Sequence, residues 1–413
     1  MNIKTTSKIG VAAALAAALG IFIAAGCDTL IDALDSDPSE PVQGETIKIG
    51  LIQPQGNFPS FALGAKLALA QINANGGILG KQAEIIERDN QGQDPYPTAA
   101  STIDSARDLI LNEGVTAIVG PMFSTNSIAL GQALTQTGGT TPFLPGSTSP
   151  VATQSYAYTA LVSANLPLHS TILSDFARSE LMAETAAILA QEGDAYSQQL
   201  TVSFKELFEA AGGAVVSAET YVVGTVDFSA NVETLLAGGS DVCFLTSFPP
   251  EVPLIIDQAR AAGYEGVFIG PNGWNVPAEF YSALDDNSVL DGSYFTIDFL
   301  PNESNPAAQQ FAAAYEAVYG MPADSFAGNG FDAMSVLAQA IEAAGAVGSE
   351  NANDAIMSAI AAIRDYRGAT YISHFDENRL AVKDLVIMRI QDGSSMFYSV
   401  WDNPNKGADP GDE

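Results

Sequence analysis

The chain has 413 residues, of which 47% are hydrophobic, and its 16 Lys and Arg against 48 Asp and Glu give a formal net charge of −32. This composition supplies ample apolar material for folded domains, while the negative charge argues against nucleic-acid partners and anionic lipid surfaces. Two Cys and two His exclude a disulfide framework and a Cys- or His-rich metal site, and no cofactor motif is found.

The first 45 residues are typical of an export signal followed by a tether. Two lysines precede the uncharged run of 17 residues from Ile9 to Ala25, and the small residues Ala24-Ala25-Gly26 stand directly before Cys27. Small residues before such a cysteine resemble a bacterial lipobox, although that motif usually has Leu where Ala24 stands. We therefore predict a lipoprotein signal peptide over 1–26, lipidation of Cys27 and an acidic tether over 27–45, which makes the protein extracytoplasmic and membrane-anchored. An uncleaved membrane anchor is the alternative, because the apolar run nearly spans a bilayer.

The next part of the chain alternates strands and helices. Residues 47–52 are β-branched and alternate in polarity, which predicts a strand; residues 61–74 have apolar side chains at helical spacing and end at Asn75-Gly76-Gly77. The further predicted elements are strands at 83–87, 116–119 and 141–144 and helices at 97–112 and 124–136. Four strands that alternate with helices indicate a parallel sheet with helices on both faces.

The alternation restarts with a helix at 168–179. The elements that follow are strands at 185–189, 214–221, 241–246, 266–269 and 294–297, with helices up to 211 and at 228–236 and 251–262. Helices at 306–319 and 324–344 and strands at 383–390 and 395–401 complete the chain before an acidic tail at 403–413. We predict an α/β fold of two Rossmann-like lobes with parallel sheets.

Two neighbouring strand ends of the first predicted sheet carry neutral hydrogen-bond donors. The loop Gly120-Pro-Met-Phe-Ser-Thr-Asn126 leads into a helix, for which Ser124 is the predicted N-cap. The next strand end, Pro145-Gly-Ser-Thr-Ser-Pro150, adds hydroxyls and a permissive glycine. Ligands of open parallel sheets bind at such ends, and a helix N-terminus holds a carboxylate without a cation. Ordinary capping and turn chemistry is the alternative explanation for each motif taken alone.

Several motifs occur in a consistent order between about 46 and 401. They are Ile47-Lys-Ile-Gly-Leu51, Gly64-Ala-Lys-Leu-Ala68, Ile72-Asn-Ala-Asn-Gly-Gly-Ile-Leu-Gly80, Ala117-Ile-Val-Gly-Pro121, Gly193-Asp-Ala-Tyr-Ser197, Asp227-Phe-Ser229, Gln258-Ala-Arg-Ala-Ala-Gly263 and Phe375-Asp-Glu-Asn378. In this order and spacing they resemble the type I periplasmic binding proteins of the branched-chain amino-acid (Leu/Ile/Val-binding) ABC transporter family. No single motif is diagnostic, so the resemblance rests on their order.

The resemblance implies an architecture and a set of partners. It implies an N-terminal lobe of 46–164 and 299–372 and a C-terminal lobe of 165–298 and 373–402, joined by a multi-strand hinge in a Venus-flytrap arrangement. Such a monomer closes on an amino acid and delivers it to an ABC permease and ATPase complex. Leu, Ile or Val is the default ligand; short amides or small carboxylates, or a ligand-sensing receptor role, are the alternatives.

The resemblance also implies site residues. Ser124 and Thr148 would bind the ligand carboxylate with help from the backbone at Gly146. Tyr196 and Phe248 fall on aromatic contacts, and Asn165 sits where the family commonly has an acid. Phe58 is a weaker candidate for a further contact.

One position departs from the family. Gly270-Pro271 is followed by Asn272, where the family has the glutamate that binds the ligand amine. An amide accepts a hydrogen bond but does not neutralise an ammonium. Either another acid, such as Asp298 or Glu251, takes over, or the ligand is not a simple α-amino acid. Trp274 offers a cation–π face in one interpretation and is a packing residue in the other.

Catalysis is not predicted. The sequence has no Gly-x-Ser-x-Gly elbow and no phosphate-binding Gly-x-x-x-x-Gly-Lys-Ser/Thr loop. His169 and His374 are far apart in the sequence, and Gly328-Asn-Gly330 mimics a dinucleotide fingerprint without a preceding strand. The chain is therefore predicted to bind a small molecule and not to transform it.

Overall fold

The computed structural model describes residues 46–54, 58–91, 97–301, 305–404 and 406. The predicted signal peptide, Cys27, the tether and most of the predicted tail lie outside the described residues. In the part of the chain that is described, no helix is both long enough and apolar enough to cross a membrane.

The first sheet has four parallel strands in the order β2-β1-β3-β4. The strands are β1 (Ile47–Gln53), β2 (Ala83–Asp89), β3 (Ala117–Val119) and β4 (Phe143–Leu144). The helices that alternate with them or follow them are α1 (Ser60–Ala74), α2 (Ala99–Asp108), α3 (Ser124–Thr137) and α4 (Val151–Ser155). The helix predicted over 97–112 divides into α2 and a π-helical turn at Leu109–Glu113.

The second sheet has seven strands in the order β14-β13-β9-β8-β7-β5-β6. Its members are β5 (Thr185–Gln191), β6 (Ala214–Tyr221), β7 (Val242–Leu245), β8 (Val267–Gly270), β9 (Tyr294–Ile297), β13 (Leu385–Gln391) and β14 (Ser394–Trp401). The strands from β9 to β6 are parallel, whereas β13 runs antiparallel to both β9 and β14. Its helices are α5 (Leu166–Ser179), α6 (Ala195–Ala210), α7 (Ser229–Gly238), α8 (Glu251–Ala261) and α9 (Pro277–Tyr281). The predicted α/β class with parallel sheets is thereby confirmed.

The late part of the chain holds elements that the sequence pattern did not predict. Helices α10 (Pro306–Tyr319) and α11 (Ser325–Ala344) were expected, but α12 (Glu350–Ala361) and strands β10 (Arg364–Arg367), β11 (Tyr371–Phe375) and β12 (Ala381–Val382) were not. The three strands form a small antiparallel sheet. Three of the four side chains of β10 are exposed and the fourth is half-buried, so its sequence carries no apolar period from which a strand could be predicted.

Helices α1 and α11 pack closely because glycines stand where they cross. A Cβ on Gly64 would lie 1.9 Å from the Ala327 carbonyl oxygen, and one on Gly330 would lie 1.8 Å from that of Phe61. The motif at Gly328–Gly330 therefore lies inside a helix and serves helix packing, which agrees with its interpretation as a chance match. This contact also fixes the start of α11, from which Phe326 projects.

A buried ion pair joins the three places where the chain passes between the two sheets. The Asp298 carboxylate accepts hydrogen bonds from the Ala164 N–H at 3.0 Å, from Lys383 Nζ at 3.1 Å and from Asn329 Nδ2 at 3.2 Å. Lys383 Nζ also donates to Asn329 Oδ1 at 3.1 Å, and both charged side chains are 1% exposed. Burial by itself would raise the pKa of Asp298, but Lys383 and the Ala164 N–H outweigh it and hold that pKa below its usual value.

We expect Lys383→Met to lower the free energy of unfolding by about 3–5 kcal/mol, because it leaves the Asp298 carboxylate buried without its ionic partner. Adding Asp298→Asn should restore much of this loss, since the amide still accepts from Ala164 without a charge. Denaturant unfolding measures both variants. The exposed Lys205→Met is the control and should stay close to the unsubstituted chain; an equal effect of the two lysine substitutions would contradict the assignment.

Candidate ligand-binding site

Loops from both sheets meet around one small cavity. From the first sheet come the loops that follow β3 and β4, and from the second sheet come those that follow β7 and β8, together with the start of α6. The lining residues are Met122, Phe123, Ser124, Gly146, Ser147, Thr148, Tyr196, Phe248, Asn272 and Phe326. The cavity has a volume of about 10 Å³, which is room for about one water molecule. A larger ligand therefore requires the two sides to separate.

The first-sheet side of the cavity is a cluster of buried hydroxyls. Ser124 is the first residue of α3 and not its N-cap; Phe123 occupies the cap position and makes no side-chain cap hydrogen bond. The predicted capping role of Ser124 is therefore wrong, and its Oγ instead accepts a hydrogen bond from Ser147 Oγ at 3.0 Å. Ser124, Ser147 and Thr148 are each at most 3% exposed. Together with the first N–H groups of α3 they form a neutral wall rich in hydrogen-bond donors.

Gly146 lies where the loops after β3 and β4 approach each other closely. A Cβ at this position would lie 3.1 Å from the Phe61 ring and 3.2 Å from the backbone of Met122. A side chain at residue 146 would therefore require the loops after β3 and β4 to move apart by a few tenths of an ångström.

The opposite side of the cavity is aromatic. Phe248 stacks on Tyr196 with ring centroids 4.9 Å apart. Phe123 and Phe58, both from the first-sheet side, lie 5.7 and 5.9 Å from Phe248. Phe58, the weaker of the predicted contacts, thus belongs to the aromatic group although it is not among the lining residues. Rings from both sheets therefore close over the cavity.

Asn272 is held by a hydrogen bond from Tyr196. The Tyr196 hydroxyl donates to Asn272 Oδ1 at 3.0 Å and accepts from the Gly273 N–H at 3.0 Å. Burial raises the pKa of Tyr196 well above its usual value, so the hydroxyl keeps its proton. Asn272 therefore lines the cavity as a neutral amide that is hydrogen-bonded to the Tyr196 phenol.

Two of the predicted ligand contacts, Asn165 and Trp274, do not line this cavity. Asn165 caps α5, with its Oδ1 accepting from the Leu168 N–H at 3.1 Å. Trp274 donates from Nε1 to the Leu245 carbonyl at 3.2 Å and stacks on Phe280, so it packs within the second-sheet side.

Two acids considered as substitutes for the missing glutamate are also engaged elsewhere. Asp298, a third predicted contact, does not line the cavity either, because it forms the buried ion pair with Lys383. Glu251 Oε1 accepts from the Gly224 N–H at 2.8 Å, and Glu251 is not a lining residue. Neither acid therefore replaces the glutamate in the described conformation.

Several lining residues were not singled out from the sequence. Met122, Phe123 and Ser147 lie in the loops 120–126 and 145–150, which were singled out from the sequence. The sequence therefore indicated their position but not their role. Phe326 had no such signal, because it reaches the cavity from α11, which begins more than 25 residues after β9. Only the packing of α11 against α1 brings it there.

Hydrogen bonds cross between the two sides next to the cavity. Thr125 Oγ1 donates to Asp194 Oδ1 at 3.1 Å and accepts from the Ala195 N–H at 3.1 Å. Ser149 Oγ donates to Gln199 Oε1 at 2.7 Å. These bonds join the first-sheet loops to the start of α6, and they have to break when the two sides separate.

Asp324, two residues before Phe326, is a buried carboxylate. It caps α11 by accepting from the Ala327 N–H at 2.8 Å. Burial raises the pKa of Asp324 to about 6, and the negative charge of Glu279 adds to this, while hydrogen bonds from Ser60 and the backbone act against it. The folded protein therefore binds a proton here at a pH where the unfolded chain does not.

The chain was compared with known proteins. Residues 46–395 match the sequence profile of the family described as periplasmic binding protein. The chain is 26% identical over 326 residues to a leucine-, isoleucine-, valine-, threonine- and alanine-binding protein of Pseudomonas aeruginosa, covering 77% of this chain and 84% of the relative. These matches bear out the predicted family resemblance and the prediction that the chain is not an enzyme.

Solved structures give the same result. A leucine-binding protein, LivK, of Thermotoga maritima superposes with a TM-score of 0.78 at 27% identity, covering 87% of this chain and 99% of that one. The branched-chain amino-acid transporter substrate-binding protein LivJ of Streptococcus pneumoniae, solved with isoleucine, superposes with a TM-score of 0.76 at 25% identity, covering 86% and 99%.

We expect Asp324→Asn to stabilise the protein at alkaline pH. A carboxyl whose pKa is raised on folding costs stability as the pH rises from about 4 to about 6, and this cost remains above pH 6. Asn still caps the helix but carries no charge, so the free energy of unfolding should rise by about 3 kcal/mol at pH 8 and change little at pH 3. Denaturant unfolding at the two pH values measures this, with the exposed Asp285→Asn as control. A gain that is equal at both pH values would refute the assignment.

Proposed function

Because the chain belongs to the periplasmic binding protein family, we propose that it is the solute-binding component of an ABC importer, and that two lobes close by hinge motion on a small solute that carries a carboxylate. The family implies a location outside the cytoplasm. The observation that carries the proposal is the cavity itself, which is lined from both sheets and closed by hydrogen bonds that cross between them.

The proposed lobes are those expected from the sequence, 46–164 with 299–372 and 165–298 with 373–402. Each proposed lobe contains one of the two large sheets. The chain passes between the sheets near Ala164, near Asp298 and near Lys383, and these three passages form the proposed hinge. Closure would bring the hydroxyls of the first lobe and the rings of the second against one ligand. We further propose that the protein acts as a monomer and delivers the ligand to a permease and ATPase complex.

The anchor is also a proposal. Cleavage after residue 26 would leave Cys27 to carry a lipid, and 27–45 would hold the binding domain off the membrane. The composition of this segment, with small residues before the cysteine and an acidic stretch after it, supports the assignment.

The names of the relatives make branched-chain amino acids the first ligands to test. The donor wall of Ser124, Ser147 and Thr148 suits a carboxylate, which every amino acid carries. Asn272 favours a second candidate class, small carboxylates or amides without an amine, because an amide in this position does not neutralise an ammonium.

The experiment is a thermal-shift screen of amino acids, short amides and carboxylic acids. A true ligand at 100 times its Kd should add about 2.7 kcal/mol, which raises the Tm by several degrees. Ser124→Ala should weaken binding of that ligand by about 10-fold, because it removes one hydroxyl from the carboxylate wall. If no compound in the screen raises the Tm, the proposed solute-binding function is wrong for these classes.

We expect Thr125→Val to weaken ligand binding by about 10-fold, since it removes two hydrogen bonds that form only when the two sides are closed. Titration calorimetry with a ligand from the screen measures the change. Thr201→Val is the matched control, because the Thr201 hydroxyl bonds only within α6, to the Ser197 carbonyl. Equal affinities of the two variants would mean that these bonds do not contribute to closure.

A further inference from the structure

We propose that the ligand of this site is a small monocarboxylate with an apolar body and no ammonium group. This rests on the proposed solute-binding function and narrows its ligand class. Three features of the cavity favour such a ligand: the absence of charged side chains from its described wall, the hydrogen bond that already occupies Asn272, and the difference between its two walls.

Among the residues that the structure describes, the cavity wall offers no ionic partner for an ammonium. None of its ten lining residues is an acid or a base with a charge at neutral pH. Tyr196 comes nearest to an ionisable group, and the rise in its pKa keeps it a neutral phenol. A ligand ammonium enclosed here would lose its water without gaining a counter-charge, which is strongly unfavourable.

Three acids close to the cavity have other partners. Asp324 caps α11 through the Ala327 N–H, and Asp298 pairs with Lys383. Asp194 accepts from Thr125 and, through its other oxygen, from the Ser197 N–H at 2.9 Å. None of these three carboxylates lines the cavity, so none supplies the charge that Asn272 lacks.

Asn272 stands where the family has the glutamate that binds the ligand ammonium. Its side chain is instead hydrogen-bonded to the neutral Tyr196 hydroxyl. Its Oδ1 receives the one hydrogen of the Tyr196 hydroxyl, and that hydroxyl in turn is fixed by the Gly273 N–H. Gly273 packs closely against the same pair of rings: a Cβ at this position would lie 2.9 Å from the Tyr196 hydroxyl and 3.1 Å from the Phe248 ring. Asp is isosteric with Asn, so the shape of this arrangement does not require the amide.

The two walls of the cavity therefore match a molecule that is charged at one end only. Hydroxyls of Ser124, Ser147 and Thr148 and the N-terminal amides of α3 suit a carboxylate. Apart from Gly146 and the hydrogen-bonded pair Tyr196 and Asn272, the rest of the lining is apolar, with Met122, Phe123, Phe248 and Phe326. Such a surface suits a branched aliphatic or aromatic body.

The test compares ligands that differ in one group. L-leucine and 4-methylpentanoate share a carbon skeleton and a carboxylate, and only L-leucine has the ammonium; 4-methylpentanamide replaces the carboxylate by an amide. Titration calorimetry on the full chain in mild detergent should give 4-methylpentanoate an affinity at least about 100-fold higher than that of L-leucine. The amide should bind more weakly than 4-methylpentanoate.

The isosteric variant Asn272→Asp should abolish the preference for 4-methylpentanoate. We expect L-leucine to gain at least about 10-fold in affinity and 4-methylpentanoate to lose as much, with a larger effect as the pH rises and the new carboxyl ionises. Gln309→Glu, exposed on α10, adds the same charge away from the cavity and should change neither affinity.

Tighter or equal binding of L-leucine by the unsubstituted chain would overturn the inference and leave the solute-binding function standing. Tighter binding of the amide would overturn the carboxylate part. Binding of none of the three would also overturn the inference, and the wider thermal-shift screen would then decide separately whether the chain binds a solute at all.

Discussion

The ion pair between Lys383 and Asp298 is the contact on which the two-sheet arrangement depends. Two charges at 1% exposure are costly to bury, so they are tolerated only where every polar atom finds a partner. Here the partners are Asn329 and the N–H of Ala164, and the four residues come from all three passages between the sheets and from α11. The pair thus holds the passages in one place and leaves the loops at the strand ends free to approach or separate.

The site follows from that arrangement. Parallel strands place their carboxyl ends at one edge, and each large sheet turns such an edge towards the other, so short loops supply most of the cavity wall. One wall offers hydroxyls and a helix N-terminus, and the other offers rings with a phenol–amide pair. The charge asymmetry, and not the size of the cavity, is what distinguishes ligands. A single position, residue 272, decides whether the second wall is neutral or negative.

Local sequence pattern accounted for much of this structure. The local pattern predicted β9 and α10 at their observed bounds, and the resemblance pointed to Ser124, Thr148, Tyr196, Phe248 and Asn272, all of which line the cavity. The pattern could not show which polar atoms are already satisfied, and for that reason Asn165, Trp274 and Asp298 were expected at the cavity although caps, packing and an ion pair use them. The position of Phe326 at the cavity and the strand Arg364–Arg367 depend on contacts between residues distant in the chain, so the local sequence pattern could not predict them.

The central claim is that two lobes joined at the ion pair close on a solute. The most direct measurement is the distance between spin labels placed at the exposed residues Gln132 on α3 and Gln198 on α6, with and without a ligand found in the thermal-shift screen. Cys243 is buried and does not compete for the label. We expect a longer and broader distance distribution without ligand and a shorter, narrower one with it. A single distance that is unchanged by a ligand of proven affinity would contradict hinge closure.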